Sequence, residues 1–321
     1  MTRVFDLHCD TLTDGFNNDY PLRGNTAHFD LDRIPQHWGW CQTMAIFIRD
    51  KLRGQPAIDY FNEVYDYFLQ QLELNCTTFE QARTAADITR IIESGKTAAV
   101  LSVEGGAVLA GRLEEISRLA GLGVRMMTLT WNGTNEIGGG ASSDLGLTDF
   151  GYAAVRELER CHIAVDVSHL NDRTLEDVLK TAQKPVLASH SNSRTICNHR
   201  RNLTDSQFEA IAEMGGVVGL NLCCSFIDDS CQMDAHPDNR QRICLLSQPE
   251  MLIRHIWHLL ELGGEDVLAL GTDFDGATIP AYIGDVAGVA TLRECMLQSG
   301  LGEKLTHKLL YKNALDFLGR L

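Results

Sequence analysis

A single (β/α)8 barrel over residues 1–321 is the fold that this sequence predicts, and three observations carry the expectation. Eight short runs rich in β-branched and apolar residues alternate with segments of helical period, the pattern of repeated βαβ units. A length of 321 residues with 44% hydrophobic content suits one such barrel with insertions and a sizeable core. Five of the eight runs finish on or beside a residue able to ligate a metal or carry a proton. That is where a barrel of this class keeps its chemistry.

Residues 4–10 read as strand one, followed by a polar loop with glycine and asparagine to about 32. Strand two covers 42–48. From 58 to 75 the apolar positions Phe61, Val64, Tyr65, Phe68, Leu69 and Leu72 recur at helical spacing, and a shorter helix covers 86–93. Strand three is 97–103 with its helix at 113–120, and strand four is 124–131. The glycine-rich run 132–140 lacks the order of a phosphate cradle and reads as a polar active-site loop.

A helix over 148–161, strand five at 163–168, a helix over 172–182 with Asp172 at its N-terminus and strand six at 186–189 come next. Residues 191–202 form a polar loop with Arg194, His199, Arg200 and Arg201. Thr204 caps a helix to 214, strand seven is 216–222, and 223–247 is irregular and long enough to be functional. A helix over 249–262, strand eight at 267–271 and helices at 286–297 and 304–318 close the chain.

Formal charge is −15 and the sequence pI near 5.1, which argues against nucleic acid or an anionic membrane surface as partner. The ten cysteines show no CxxC and no repeated spacing, so they read as reduced thiols and not as a zinc-thiolate cluster. Strand one begins at Val4, which leaves no room for a secretory leader, and no run approaches a membrane span. The expected compartment is the cytoplasm.

The chemistry gathers at the strand ends. His8 and Asp10 form an HxD pair after strand one, Glu104 ends strand three, and His169 and His190 end the neighbouring strands five and six. Imidazole and carboxylate suit borderline-soft divalent ions such as zinc, and a carboxylate between two ions can bridge them. Such coordination lowers the pKa of water to about 7 and polarises a carbonyl. Asp273, after strand eight, is placed to move the proton, and Asp275 reads as a supporting group. A lone histidine is by rough prior a core or surface residue about four times in five, and it is the shared location of these five that shifts the odds. His28, His37, His162, His236, His255, His258 and His307 are read as unrelated to the centre.

The motifs Asp6-Leu-His8-Cys-Asp10, Ser102-Val-Glu104-Gly-Gly106, Thr128-Leu-Thr-Trp-Asn132, Asp166-Val-Ser-His169, Ser189-His190-Ser191, Arg200-Arg201-Asn202 and Gly271-Thr-Asp273-Phe-Asp275-Gly276 occur in that order. Together they resemble the signatures of the membrane (renal) dipeptidase family of zinc metallopeptidases over almost the whole chain. The resemblance implies an amidohydrolase-type barrel with two zinc ions, one held by His8 and Asp10, the other by His169 and His190, with Glu104 bridging. It implies that Arg201 binds the free carboxylate of a dipeptide, that Asp273 handles the proton, and that the chain is a homodimer-forming, bacterial-type member without an anchor tail. Where the mammalian enzymes carry a histidine after Thr-Leu-Thr, this chain has Trp131 at the substrate. An indole donates one N–H but cannot become cationic, and losing a charged oxyanion partner costs roughly two to three powers of ten in rate unless a group such as His199 substitutes.

The leading expectation is therefore hydrolysis of dipeptides, including those with a C-terminal D-residue. Trp131 motivates a second reading, a related binuclear hydrolase of N-acyl amino acids or cyclic amides. A metal-binding protein without catalysis is the third, and Asp273 counts against it because neither packing nor simple metal binding requires it.

Overall fold

The computed structural model describes residues 1–231, 243–244 and 248–321. Most of the irregular segment 223–247, with His236, lies outside the described residues. The barrel strands are β1 (Arg3–Cys9), β2 (Gly39–Phe47), β3 (Thr97–Glu104), β4 (Val124–Thr128), β5 (Ala164–Asp166), β6 (Leu187–Ala188), β7 (Val217–Leu220) and β8 (Leu268–Leu270). Each pairs in parallel with the next, and Asp6 opposite Leu270 closes β1 onto β8. Parallel neighbours need long crossovers, and helices supply them. They are α1 (Thr11–Asn18), α2 (Gln55–Leu74), α3 (Ala85–Glu93), α4 (Glu114–Leu122), α5 (Asp149–Arg160), α6 (Asp172–Thr181), α7 (Asp205–Glu213), α8 (Cys224–Ile227), α9 (Pro249–Glu261), α10 (Val289–Gln298), α11 (Gly302–His307) and α12 (Asn313–Leu318).

Side chains alternate along each strand with a period of two, and the two faces fill different cores. Phe5, Leu7, Cys41, Val100, Met126, Leu187, Val217 and Ala269 pack inside the barrel, closed below by Tyr311 and Phe317 of the last helical segment. A larger cluster, with Met44, Ile46, Leu101, Val103 and Val165, joins the outer face to the helices. The lower end is thus solid, and the open end is where the strands finish.

The structure departs from the sequence expectations in a few places. Residues 11–18 are helical where a loop is expected, because burial of Leu12 and Thr13 outweighs the poor propensity of Gly15, Asn17 and Asn18. A short strand, Phe79–Ala82, covers the lower half of the β3 edge, and β4 takes over at Leu101. Strand four ends at Thr128 and strand six is two residues long, since the chain leaves the ladder to build the site. The cap of α6 is Asn171, with Asp172 in its first turn, whereas Thr204 caps α7 in a reciprocal capping box with Gln207.

Candidate metal centre and active site

The site begins with β1. A register shift after Asp6 and the start of α1 place Asp10 at the helix cap and not in the strand, so shared strand faces do not explain the HxD pair. The turn nevertheless brings Asp10 Oδ2 to 3.5 Å from His8 Nε2. Glu104, at the end of β3, faces both ways: Oε2 lies 3.7 Å from His8 Nε2, and Oε1 lies 2.8 Å from His169 Nε2 and 3.9 Å from His190 Nε2. Asp273 Oδ1 stands 4.0 Å from His8 Nε2, so Asp273 shares the His8 and Asp10 cluster. All five expected ligands and Asp273 therefore converge, buried or nearly so.

A layer of residues behind them fixes the imidazoles. The Asn132 Oδ1 accepts from His169 Nδ1 at 3.1 Å. Ser189 gives its one proton to Asp166 Oδ2 at 2.5 Å and so accepts from His190 Nδ1 at 2.7 Å. Both rings carry their proton on Nδ1, and both Nε2 lone pairs point inward, 2.9 Å apart. Two lone pairs at that distance repel unless a cation lies against them.

The charges lead to the same conclusion. Burial, then neighbouring charges including Asp273, pushes Glu104 up to about 7; burial and Glu104 push Asp10 up to about 6. Burial acts against a charged His8, but Glu104, Asp10 and Asp273 outweigh it and push the imidazole up to about 10. Burial, with Arg201 nearby, pushes His169 and His190 well down, which keeps them neutral as ligands. His8 Nε2 and Asp10 Oδ1 are buried without a hydrogen-bond partner. Gly276 completes the cradle: a Cβ there would come within 2.0 Å of Asp10 Oδ2 and 2.6 Å of Asp273 Oδ1. These residues fit divalent metal, with donors, charge and space that hydrogen bonds alone leave unsatisfied.

Several supporting residues carry no periodic or spacing signal. Asn221 donates to Asp273 Oδ2 at 3.0 Å and to the His190 carbonyl at 3.3 Å. Asp6 ties β1 to β8 through the Thr272 N–H at 2.8 Å and its hydroxyl at 2.6 Å. Asp275 accepts from Thr11 Oγ1 and the His28 N–H, each at 2.5 Å, as suits a supporting group. His169, Asp273 and Asp275 all have left-handed backbones, with φ of 69°, 61° and 66°.

A cavity of about 620 Å³ opens over the centre. Arg201 lines it, buried, with Nε lacking a partner, Nη2 3.5 Å from the His190 carbonyl and its guanidinium 5.5 Å over the Phe226 ring. His199 stacks on the same Phe226 at 4.4 Å. On the other side Trp131 meets Phe47 edge-on at 5.1 Å and stands 6.2 Å from the His169 ring. The set-aside His28 and His255 are structural: His28 Nδ1 accepts from the Asp275 N–H at 3.0 Å, and His255 joins Ser193 to Ile227.

Residues 1–320 match the family model of the membrane dipeptidases, peptidase family M19. The chain belongs to this family. With it comes the enzyme class, and this M19 chain is a metallo-dipeptidase. A metallopeptidase from Rhodobacter sphaeroides, solved with a phosphinate mimic of the dipeptide L-Ala-D-Ala, superposes on it with a TM-score of 0.91 at 28% identity over 99% of both chains. The dipeptidase AC, a metallopeptidase of the same family, gives 0.91 at 29% identity over 99% of this chain and 98% of its own. An uncharacterised protein in the pqqA 5′ region of Klebsiella pneumoniae is 34% identical over 243 residues, covering 73% of this chain and 86% of that protein. The M19 chain thus shares the closed parallel barrel of these metallopeptidases, and the family implies a metal, usually zinc. Among the described residues no helix is long and apolar enough to cross a membrane.

Proposed function

We infer that residues 1–321 form one catalytic domain that hydrolyses dipeptides with two zinc ions, the His8 and Asp10 side and the His169 and His190 side joined by Glu104. The observation that carries this is Glu104, whose Oε2 lies 3.7 Å from His8 and whose Oε1 lies 2.8 Å from His169, with His190 close to both. When bound, zinc supplies an acidified water and a Lewis acid for the scissile carbonyl.

The remaining steps belong to the side chains. Arg201 holds the substrate carboxylate: its charge is permanent, its Nε is unpartnered, and Phe226 fixes the plane of the fork. Asp273, oriented by Asn221, takes the proton released at the centre and returns it to the leaving amine. Trp131 lines the substrate space beside His169. The L-Ala-D-Ala mimic bound by the Rhodobacter sphaeroides relative supports including substrates with a D-residue in second place.

Replacement of Arg201 by alanine tests the reading. The Arg201→Ala variant should raise KM for dipeptides by roughly 10- to 100-fold, the worth of a hydrogen-bonded charge, and leave the corresponding amides without a free carboxylate almost unaffected. Equal effects on both would remove the carboxylate role. Turnover of N-acyl amino acids or cyclic amides by a protein inert toward dipeptides would replace the substrate class.

A further inference from the structure

We propose that Phe47 and Trp131 form an aromatic wall that makes the enzyme select dipeptides whose first residue carries a large apolar or aromatic side chain. The inference rests on the dipeptidase reading above and adds the preference for the first residue. Its starting point is the order of strands around the barrel. Arg201 leans on the His190 carbonyl after β6, while Phe47 ends β2, four strands away in a closed ring of eight. Strands four apart face each other across a barrel. Trp131 follows β4 and reaches the same side, edge to face with Phe47.

A substrate anchored by its carboxylate on Arg201 crosses the ligands at its peptide bond. Its first residue, about 3.5 Å further along the chain, then lies against the Phe47 and Trp131 side. Both rings line the cavity and are only partly buried, so each keeps apolar surface toward that space. Other groups that line the same cavity, Thr13, Asp14, Asn17 and Arg49, are polar or charged. A methyl side chain would leave the two rings wetted, whereas a phenyl or isobutyl group would dry them and gain the burial and edge-to-face contact. Trp131 cannot act as a cation toward the reacting carbonyl, and its position beside His169 makes it a wall of the first-residue space. Arg49 defines the competing outcome, a preference for acidic first residues.

The experiment measures kcat/KM of the zinc-loaded enzyme for phenylalanyl-, leucyl-, alanyl- and glutamyl-alanine. The first two should exceed alanyl-alanine by about tenfold or more. That ratio should collapse toward one in Trp131→Ala and in Phe47→Ala and persist in Trp131→Phe, which keeps a ring. Should either alanine variant fail to fold by circular dichroism, Phe47→Leu and Trp131→Leu, which remove the ring and keep an apolar side chain, still read each ring's share of the ratio against the wild type. A glutamyl preference, no preference, or a ratio untouched by loss of either ring overturns the wall while leaving dipeptide hydrolysis standing. Failure to cleave any of the four, with either L- or D-alanine in second place, overturns both.

Discussion

At the scale of residues, the centre is governed by where single protons sit. Ser189 has one hydroxyl proton, Asp166 takes it, and His190 must therefore donate from Nδ1 and present Nε2 inward. Replacing Ser189 by alanine removes that acceptor and frees the ring to rotate or change tautomer. The Ser189→Ala variant should bind zinc 10- to 100-fold more weakly, as found when a supporting partner of a metal ligand is lost, measured by competition with a chromophoric chelator. An unchanged affinity would show that the tautomer is fixed by other contacts. The ligands themselves are legible in the sequence because each ends an apolar run. The supporting roles of Ser189, Asn132 and Asn221 are not, since Asp166, which fixes the Ser189 proton, and the partners of Asn132 and Asn221 lie 23, 37 and 52 residues away and only the fold makes them meet the right atom.

At the scale of elements, helices hold the loops that carry the site. In α9, His255 accepts the Ser193 N–H on Nδ1 at 3.2 Å and donates from Nε2 to the Ile227 carbonyl at 3.0 Å, which requires a neutral ring. Burial pushes its pKa down to about 4, against an ordinary value near 6.5 in the unfolded chain. The contribution to stability is complete above pH 6.5 and is lost as the pH falls toward 4, because the unfolded chain then takes up a proton that the folded chain refuses. The full loss is on the order of 3 kcal/mol. Denaturant midpoints should fall between pH 7 and pH 4.5, and His255→Gln should flatten part of that slope; an identical slope in the variant would assign the effect to other groups.

The same scale shows the limit of local reading. The eight strands are legible from their apolar runs, and α7 from Thr204, because those signals are local. Helix α1 is not, as Thr-Leu-Thr-Asp-Gly-Phe-Asn-Asn has little intrinsic helicity and is held by burial at the barrel mouth. The strand Phe79–Ala82 likewise exists because the lower edge of β3 needs a partner before β4 arrives.

At the scale of the whole molecule, the barrel concentrates negative charge at its mouth in a chain already at −15. Asp10, Glu104 and Asp273 are held together by strands from distant parts of the chain, so folding itself works against their repulsion. Metal binding offsets it. Removal of the metal with a chelator should abolish dipeptide cleavage and lower the melting temperature, with a stability loss of about 4 kcal/mol if free metal stood at a thousand times its dissociation constant. Added zinc should restore both, and a melting temperature indifferent to the chelator would mean that the fold does not bind the ion it accommodates. The barrel class is legible from alternation and length, but the closed lower end, sealed by Tyr311 and Phe317, follows from packing that no local pattern announces.

The left-handed backbones of His169, Asp273 and Asp275 set stability against heredity. Glycine would occupy those conformations at lower cost than the histidine and aspartates present. A population of genes selected for heat resistance alone, with no demand for hydrolysis or metal, should drift toward glycine at codons 169 and 273 but keep aspartate at 275, whose carboxylate accepts from Thr11 and the His28 N–H. The same population selected for growth on dipeptides should keep all three unchanged, which would separate the demand of activity from the demand of folding.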